Sequence, residues 1–439
     1  MTTLLKSSAE IFSKRFKKSE PRHPSTAPET NGRRAIVDLP TWNIDREQVP
    51  GAPEVSNLLK VFHFVKDLDV SSGGLSRSVP QVCRELSSQG MNVSIVSRNS
   101  DSPLVLDGPE CCLLESDASH ADDFLSTSIN CQFRNRSVIH INGLWLPFLN
   151  AAGTYARKSN LPYLISPRGM AAAWAMRHKF LKKQVAWRLY QKNALQHASC
   201  LHATGHAEKD DLRRLGLTTP IAVIPNGIDV VSDQDLAAFA GKQKSNPEIR
   251  TIMFLGRIHK VKGLLNLVQA WAKVRQPGWR IEIMGPEENN HVAEIQKLAE
   301  KLGVHHDICF SPPQYDGKKW QSLHQAELFV LPSYTENFGL SVAEALSCET
   351  PVITTKGTPW SGLEDKQCGW WCDLGVDPLA KALHQATNIS DAERKTMGKR
   401  GREWVLDHFT WPGIARDMSD LYRWLCGQGD RPATVDVVD

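Results

Sequence analysis

The sequence predicts an α/β protein with two doubly wound domains, and three observations favour this fold class. The chain has 439 residues, which is long enough for two domains that each have a core. Short apolar runs alternate with amphipathic helical segments in both halves of the chain, as in parallel sheets covered by helices. The composition turns polar between Val230 and Glu248, as expected of a linker between domains.

The composition excludes several classes of protein. Charged residues make up 23% of the chain and the net charge is +4, which is too small to indicate nucleic acid as a partner. No apolar run reaches the length of a membrane span, and the N-terminus lacks the apolar core of a signal peptide. The ten cysteines are scattered, as is typical of reduced thiols in a cytoplasmic protein. A zinc site at Cys368 and Cys372 would need two more ligands, and none is evident.

Residues 1–57 form a basic, proline-rich extension that differs from the rest of the chain. Apolar and basic side chains are interleaved between Leu4 and Lys18. Three alternatives remain open: a short amphipathic helix that makes peripheral contact with an anionic membrane, a disordered basic tail, or an organelle transit peptide.

The first domain begins with a buried strand, Leu59 to Val65, and a glycine pair follows at the strand-to-helix turn. The pair is Gly73 and Gly74, and the next helix ends at Gly90. Such a turn allows main-chain N–H groups to approach a phosphate or a sugar ring.

The ends of two further strands of this domain carry candidate ligands for a sugar or an acceptor. His140, Asn142 and Trp145 follow or end the strand Ser137 to Ile141, where side chains leave a sheet for the crevice. His140 has the alternative of being a hydrogen-bonded core histidine. Arg168 follows the next strand, residues 162–166.

The segment from Ala171 to Ala198 mixes basic and apolar residues at helical spacing. Either it is one long helix with a solvated face, or it contacts a membrane or an anionic acceptor. Strands are predicted next at Cys200 to Thr204 and Ile221 to Ile224.

The second domain opens with the strand Thr251 to Leu255 and a loop bounded by glycines. In this loop Arg257 and Lys262 are five residues apart, so both can reach one diphosphate, the arginine with a planar fork and the lysine as a compact charge. No strand is predicted after the last two helices, residues 392–406 and 414–426.

A strand, a loop and a helix between Leu328 and Ser347 carry the main candidate site. The free N–H groups at the start of the helix favour an anion. Glu336 and Glu344 are unsuited to a phosphate, but their carboxylates can accept hydrogen bonds from sugar hydroxyls. A nucleoside diphosphate sugar has both kinds of group. The candidate donor-binding residues of this stretch are Glu336, Asn337, Phe338, Gly339, Leu340 and Glu344.

These residues carry a resemblance to a known family. The pattern E-x7-E in LPSYTENFGLSVAEAL, together with GR-x4-KG in the preceding loop, resembles the retaining glycosyltransferases of family 4, also called group 1. The resemblance covers residues 59–426 and implies the GT-B fold, in which two Rossmann-like domains face each other across a cleft. It implies an N-terminal acceptor domain (58–228, with the helix at about 411–427 crossing back to it), a nucleotide-sugar domain (229–410) and a tail (428–439).

The resemblance also implies the reaction and the roles of residues. A UDP- or GDP-sugar would donate its sugar to an acceptor hydroxyl with retention of configuration. Arg257, Lys262 and the helix start would stabilise the leaving diphosphate, Glu336 would hold the sugar and Glu344 the ribose. The glycine pair would face the diphosphate, and Arg168 stands where many relatives carry a histidine.

The same resemblance implies the partners. The acceptor is expected to be a saccharide or a lipid-linked precursor of a polysaccharide, lipopolysaccharide or glycolipid. No Asp-x-Asp motif is apparent, so neither a metal nor another cofactor is expected. The alternative is an inactive nucleotide-sugar-binding partner in a polysaccharide assembly. The joint presence of Arg257, Lys262 and Glu336 favours the enzyme.

Overall fold

A computed structural model describes residues 59–69, 74–98, 100, 103, 108–114, 124–126, 128, 136–177, 179–241, 248–314 and 316–438. The predictions for residues 1–57 and for Gly73 lie outside these residues. In the described part of the chain, no helix is long and apolar enough to cross a membrane.

The first domain contains an eight-stranded sheet. Its strands are β1 (Lys60–Val65), β2 (Asn92–Arg98), β3 (Glu110–Leu114), β4 (Ser137–Asn142), β5 (Tyr163–Ser166), β6 (Cys200–Ala203), β7 (Ile221–Val223) and β14 (Val435–Asp436). Their order in the sheet is β14-β7-β6-β5-β4-β1-β2-β3. All neighbouring strands are parallel except β14 and β7, which are antiparallel. The helices that follow these strands are α1 (Gly74–Ser88), α2 (Pro147–Lys158), α3 (Ala173–Arg177), α4 (Phe180–Ala186), α5 (Lys192–Gln196) and α6 (His206–Arg214).

The second domain contains a six-stranded parallel sheet. Its strands are β8 (Arg250–Leu255), β9 (Trp279–Met284), β10 (Ile308–Ser311), β11 (Leu328–Leu331), β12 (Val352–Thr355) and β13 (Gly369–Cys372). Their order in the sheet is β10-β9-β8-β11-β12-β13. Its helices are α7 (Asp233–Ala240), α8 (Leu264–Val274), α9 (His291–Lys301), α10 (Asp316–Gln325), α11 (Leu340–Ser347), α12 (Gly362–Asp365), α13 (Val376–Asn388) and α14 (Asp391–His408). Because parallel strands joined by helices are covered on both faces, every residue of β11 and β12 is buried.

The last helix, α15 (Trp411–Leu425), crosses back to the first domain and packs against α1. Its apolar face, which includes Ile414, Met418 and Leu421, joins the core formed with β1 and α1. The crossing point requires a glycine, because a Cβ atom on Gly227 would lie 2.3 Å from the ring of Trp411. The predicted α/β fold with two doubly wound domains and a returning C-terminal helix is confirmed.

Three expectations about elements were wrong. A strand does follow the last helix, since β14 pairs antiparallel with β7. It is only two residues long, so no alternating pattern announces it. The polar stretch after Val230 contains a helix, α7, in which Leu236 and Phe239 are buried. The segment 171–198 is not one uniform helix, because α3 is separate and the stretch Trp187–Gln191 has π-helical hydrogen bonding.

Candidate active site

The candidate site lies where the carboxyl ends of both sheets face each other. In the second domain, β8 and β11 are neighbours in the sheet although they are not consecutive in sequence. Such a switch point leaves a crevice between the loops that follow the two strands. The loop after β8 carries Arg257 and Lys262, and the loop after β11 carries Glu336. A hydrogen bond of 2.9 Å from Tyr334 N to Val261 O joins the loops.

Gly263 allows this close approach. Its φ angle is +69°, in the left-handed region that favours glycine. A Cβ atom at this position would lie 2.1 Å from the carbonyl oxygen of Pro332, at the end of β11. The glycine of the GR-x4-KG pattern therefore sets the position of Lys262 relative to the second loop.

The ammonium of Lys262 forms an ion pair with the carboxylate of Glu336, and both side chains are largely buried. Glu336 also accepts a hydrogen bond of 2.7 Å from Ser333 Oγ, and its main-chain N–H donates to Gly357 O at 2.8 Å. The two residues were predicted to contact different parts of a ligand, and the structure brings them into direct contact.

Two further cations of the second domain reach the site from more exposed positions. Arg257 Nη1 lies 2.8 Å from Glu288 Oε1. Lys356 lies 2.8 Å from Asp373 Oδ1, and this hydrogen-bonded carboxylate raises the pKa of Lys356. Lys356 was not among the residues predicted from the sequence, although it directly follows β12 and so lies at a strand end, like the other site loops.

On the first-domain side, Arg168 is held by two amide side chains. Its Nη1 donates to Asn226 Oδ1 at 2.6 Å, and its Nη2 donates to Asn142 Oδ1 at 3.2 Å. Its Nε is buried and has no hydrogen-bond partner among the described residues. Burial lowers the pKa of Arg168, and the nearby carboxylate of Glu208 opposes that effect. Asn142 was predicted to contact the acceptor substrate. It is fully buried and instead accepts a hydrogen bond from Arg168.

Glu208 fixes the main chain of the loop that carries Arg168. Its carboxylate accepts hydrogen bonds from Gly169 N at 2.5 Å, Thr204 N at 2.9 Å and Thr204 Oγ1 at 3.0 Å. Burial raises the pKa of this carboxyl group. The loop reaches the other domain, since a Cβ atom on Gly169 would lie 3.2 Å from the Cβ atom of Asn337.

His140 is a core residue, which was the second of its two interpretations. Its Nδ1 lies 2.7 Å from Tyr422 Oη and its Nε2 lies 2.6 Å from Ser166 Oγ. The same buried network includes His63 and His202, and burial lowers the pKa of each of these two histidines to about 3. Burial also lowers the pKa of His140 well below its ordinary value. Neutral histidines thus connect the sheet to the last helix.

Trp145 enters the site from the end of β4 with a φ angle of +76°. Its main-chain N–H donates to Gln191 Oε1 at 2.9 Å and its carbonyl accepts from Tyr190 Oη at 2.8 Å. Its indole Nε1 is buried without a partner in the part of the chain that the structure describes. Lys183 lies 5.4 Å from the centre of the indole ring.

These residues surround a cavity of about 600 Å³ between the two domains. Six of the predicted site residues line it, and they are Trp145, Arg168, Arg257, Lys262, Glu336 and Asn337. Seven others do not, namely Gly74, His140, Asn142, Phe338, Gly339, Leu340 and Glu344. Among the described residues, no group of three or more His, Cys, Asp or Glu side chains could hold a metal ion.

The start of α11 is formed by packing that buries part of the predicted donor site. The Phe338 side chain is buried and its carbonyl accepts 2.6 Å from Trp360 Nε1. Gly339 has a φ angle of +82°. Glu344 Oε1 lies 3.0 Å from Lys319 Nζ, a partner that the sequence did not reveal because it comes from α10.

Comparison with known proteins identifies the family. Residues 72–231 match the family described as "Glycosyltransferase Family 4", and residues 237–404 match "Glycosyl transferases group 1". The chain belongs to the group 1 glycosyltransferases of the family 4 type.

Curated glycosyltransferases resemble this chain at low identity. A D-inositol 3-phosphate glycosyltransferase of Salinispora tropica is 30% identical over 226 residues, which cover 46% of each protein. A GDP-mannose:cellobiosyl-diphosphopolyprenol alpha-mannosyltransferase of Xanthomonas campestris is 26% identical over 307 residues, which cover 66% of this chain and 76% of the relative. The chain spans about half the length of the D-inositol 3-phosphate glycosyltransferases that it matches.

Solved glycosyltransferase structures share the fold. The sucrose-phosphate synthase of Thermosynechococcus elongatus has a TM-score of 0.67 at 21% identity, with 84% of this chain and 99% of that chain covered. Anabaena HepE, in complex with UDP and glucose, has a TM-score of 0.63 at 15% identity, with 83% and 99% covered. At these identities the likeness shows the GT-B fold alone.

Proposed function

We propose that this glycosyltransferase transfers a sugar from a UDP- or GDP-sugar to an acceptor hydroxyl with retention of the anomeric configuration. The observation that carries the proposal is the Lys262–Glu336 ion pair in an interdomain cavity that Arg257 also lines. This ion pair supplies a cation that can bind a phosphate and a carboxylate that can accept a hydrogen bond from a sugar hydroxyl.

The charge of the cavity supports a diphosphate leaving group. Its lining includes five basic side chains, Arg168, Lys183, Arg257, Lys262 and Lys356, against the three acidic ones of Glu208, Asp211 and Glu336. Negative charge grows on the diphosphate as the bond to the sugar breaks. Cations that already face this position stabilise the transition state more than the ground state.

Donor recognition is proposed to extend from the cavity to α11. Glu336 accepts from hydroxyls of the donor sugar, and the N–H groups at Phe338 to Leu340 contact the diphosphate at the helix start. Glu344 accepts from the ribose hydroxyls, in exchange for part of its present contact with Lys319. The Nζ atom of Lys319 also lies 4.0 Å from the centre of the Trp320 ring, a second contact that does not involve Glu344.

The acceptor is proposed to bind on the first-domain side, as a saccharide or a lipid-linked saccharide. Trp145 and Trp174 both line this side of the cavity. Aromatic faces pack against sugar rings, so these two side chains are the proposed contacts for an acceptor saccharide. The name of the Xanthomonas relative, which places its acceptor on a polyprenol diphosphate, supports a lipid-linked class. Synthesis of a polysaccharide, lipopolysaccharide or glycolipid follows as the proposed role.

The proposed step is attack on the face that the leaving group occupies. The bond between the anomeric carbon and the phosphate oxygen breaks, and the bond to the acceptor oxygen forms. The acceptor proton passes to the leaving phosphate oxygen. Because Arg257 and Lys262 supply positive charge, we propose that no metal ion takes part. A glycosyl-enzyme adduct found by mass spectrometry would contradict this step.

We propose a cytoplasmic site of action, which the free cysteines support. Eight described cysteines are unpaired, and five of them, at positions 200, 348, 368, 372 and 426, have a thiol pKa that burial raises to about 11 or 12. Such thiols are poorly nucleophilic and suit a reducing compartment.

Release of UDP or GDP from a panel of nucleotide sugars tests the proposal, with EDTA present and without added acceptor. We expect slow hydrolysis of one donor, and Arg257→Ala and Glu336→Ala should each lower it by about 10²-fold or more. The exposed Lys301 provides the control, and Lys301→Ala should leave the rate unchanged.

Other outcomes separate the alternatives. Tight nucleotide binding without turnover, even after addition of lipid-linked acceptors, would support the inactive binding partner. Dependence of turnover on a divalent cation would overturn the proposed metal independence. Once a donor is known, NMR of the transferred sugar would show whether the configuration is retained.

A further inference from the structure

Helices α3 and α4 and the turn after them expose large apolar side chains beside the cleft. The exposed fraction of the residue surface is 52% for Trp174, 52% for Phe180, 78% for Leu181, 57% for Val185 and 75% for Leu189. No residue of α4 is buried. Each of these apolar residues therefore keeps more than half of its surface uncovered by the residues that the structure describes, which is unusual for large apolar side chains that lie so close together.

Basic side chains are interleaved with these apolar ones. The exposed cations of the segment are Arg177, Lys179, Lys182, Arg188 and Lys192. None of the five forms an ion pair with a carboxylate among the described residues. Residues 124–207 contain neither Asp nor Glu. Within the described residues, no carboxylate therefore neutralises the positive charge of this surface in an ion pair.

The two kinds of side chain share one side of a continuous helix. Leu181, Val185 and Leu189 are spaced by four residues, which places them in one stripe. Arg188 and Lys192 lie three residues beyond Val185 and Leu189, at the edge of that stripe. Helical structure runs without interruption from Phe180 to Gln196, a length of about 25 Å at 1.5 Å per residue.

We propose that this surface, formed by the apolar residues 174, 180, 181, 185 and 189 and the basic residues 177, 179, 182, 188 and 192, docks on an anionic lipid bilayer. Charge complementarity selects the occupant, because basic residues around an apolar stripe match anionic head groups above acyl chains. A protein partner would need a mainly acidic face with an apolar centre, whereas a bilayer offers both properties without specific side-chain pairing.

The position of the surface links docking to the site. Trp174 belongs to the surface and also lines the interdomain cavity. Lys183, which follows the surface residue Lys182 in the sequence, lines the cavity too. Docking would bring the proposed acceptor side of the cavity to the level of the head groups. Membrane binding itself does not depend on the proposed reaction, so the two can fail separately.

Co-sedimentation of the full chain with vesicles tests the proposal. One set of vesicles contains phosphatidylcholine alone, and the other contains about one third phosphatidylglycerol. We expect the full chain to partition at least about tenfold more strongly to the anionic vesicles at low salt, and we expect this preference to weaken as salt rises.

Two double variants and two matched controls locate the binding surface. Leu181→Ser with Leu189→Ser removes apolar contact, and Lys182→Glu with Arg188→Glu reverses charge. Each should lower the partition by about tenfold or more. The controls make the same changes on the second domain, as Leu302→Ser with Leu406→Ser and Lys297→Glu with Lys301→Glu. They should bind as the unchanged chain does.

Three results would overturn the proposal. Equal binding to neutral and anionic vesicles, or none to either, would exclude an anionic bilayer as the occupant. Unchanged binding of both surface variants would place the membrane contact elsewhere, for example in residues 1–57. A dimer in light scattering that Leu181→Ser with Leu189→Ser dissociates, without any vesicle binding, would identify a second copy as the occupant. Thermal unfolding followed by circular dichroism should be unchanged in all four variants and shows that they are folded, whether or not the proposed reaction occurs.

Discussion

The two sides of the cleft present charge in different ways. On the second domain, Lys262, Arg257 and Lys356 each face a carboxylate in an ion pair near the end of a strand. On the first domain, Arg168 is buried and hydrogen-bonded to the neutral amides of Asn142 and Asn226. The exposed pairs of Arg257 and Lys356 can exchange a carboxylate for a ligand phosphate, whereas the buried guanidinium of Arg168 is held in a fixed place.

The difference has an energetic basis. An exposed ion pair contributes only about 0–1 kcal/mol, so a ligand can replace a partner of Arg257 or Lys356 at little cost. Arg168 is buried, and leaving a buried charged group without one of its hydrogen-bond partners costs about 1–3 kcal/mol or more. We infer that the exposed ion pairs of the second domain rearrange when the proposed donor binds. The first-domain side of the cleft, around Arg168 and its hydrogen-bond partners, is inferred to keep its structure, and we call it the rigid wall. Three predictions test this contrast.

The largest effect is expected where the second-domain loops touch. Gly263→Ala adds strain at a φ angle of +69° and places a Cβ atom 2.1 Å from Pro332 O. Since β8 and β11 cannot both keep their positions, we expect a loss of unfolding free energy of about 2–4 kcal/mol. Urea unfolding measures it, and nucleotide release should fall in parallel because Lys262 is displaced from Glu336.

Gly216 is the matched control, because it has a φ angle of +74° and no heavy atom within 4 Å of an added Cβ. Gly216→Ala should cost only the backbone strain, about 1–2 kcal/mol, and should leave nucleotide release intact. Equal losses in the two variants would show that contact between the second-domain loops is not what Gly263 provides.

The same contrast explains which parts of the site could be predicted from the sequence. Arg257, Lys262 and Glu336 belong to two short motifs at strand ends, and each motif includes the glycine or the helix start that positions it. The local sequence was therefore enough to predict both the residue types at these positions and the loops that position them. The short apolar runs similarly predicted both sheets, and five of the strands, β4, β5, β6, β11 and β12, are fully buried.

The first-domain side depended on packing between distant segments. The two residues that accept hydrogen bonds from Arg168 lie 26 and 58 positions away from it in the sequence. Glu208 accepts a hydrogen bond from Gly169, which lies 39 positions earlier. No local pattern announces such contacts. His140 shows the same limit, because a histidine at a strand end is equally compatible with a ligand and with a buried network. Its partner Tyr422 lies 282 positions away, on the returning helix.

A smaller effect is expected where the rigid wall is anchored. Glu208→Gln replaces one carboxylate oxygen with an NH₂ group that faces the N–H of Gly169 or the groups of Thr204. One buried donor then loses its acceptor, so unfolding free energy should fall by about 1–3 kcal/mol. Because the loop with Arg168 moves, transfer to an acceptor should fall more than hydrolysis of the donor.

Asp210→Asn makes the same chemical change on the exposed side of α6, and it should change stability by less than about 0.5 kcal/mol. If Glu208→Gln lowered donor hydrolysis and acceptor transfer by the same factor, the loop could not be an acceptor-side element. The contrast between the two sides of the cleft would then need revision.

The smallest effect concerns the neutral histidines behind Arg168. Burial lowers the pKa of His202 to about 3, from 6.5 in the unfolded chain. Between these values the unfolded state takes up a proton that the folded state does not, so stability is full above pH 6.5 and falls as the pH decreases. From pH 7.5 to 5.0 one such histidine accounts for about 2 kcal/mol.

His202→Gln keeps a donor for Ile224 O and removes this titration. The variant should be less stable at pH 7.5, yet its loss of unfolding free energy between pH 7.5 and 5.0 should be smaller by about 2 kcal/mol. Urea unfolding at both pH values measures the difference, with His384→Gln on the exposed side of α13 as the control for removing an imidazole. An unchanged pH dependence would mean that the network accepts a proton without breaking. The buried histidines near Arg168 would then tolerate a change of charge, as the exposed ion pairs across the cleft are inferred to do.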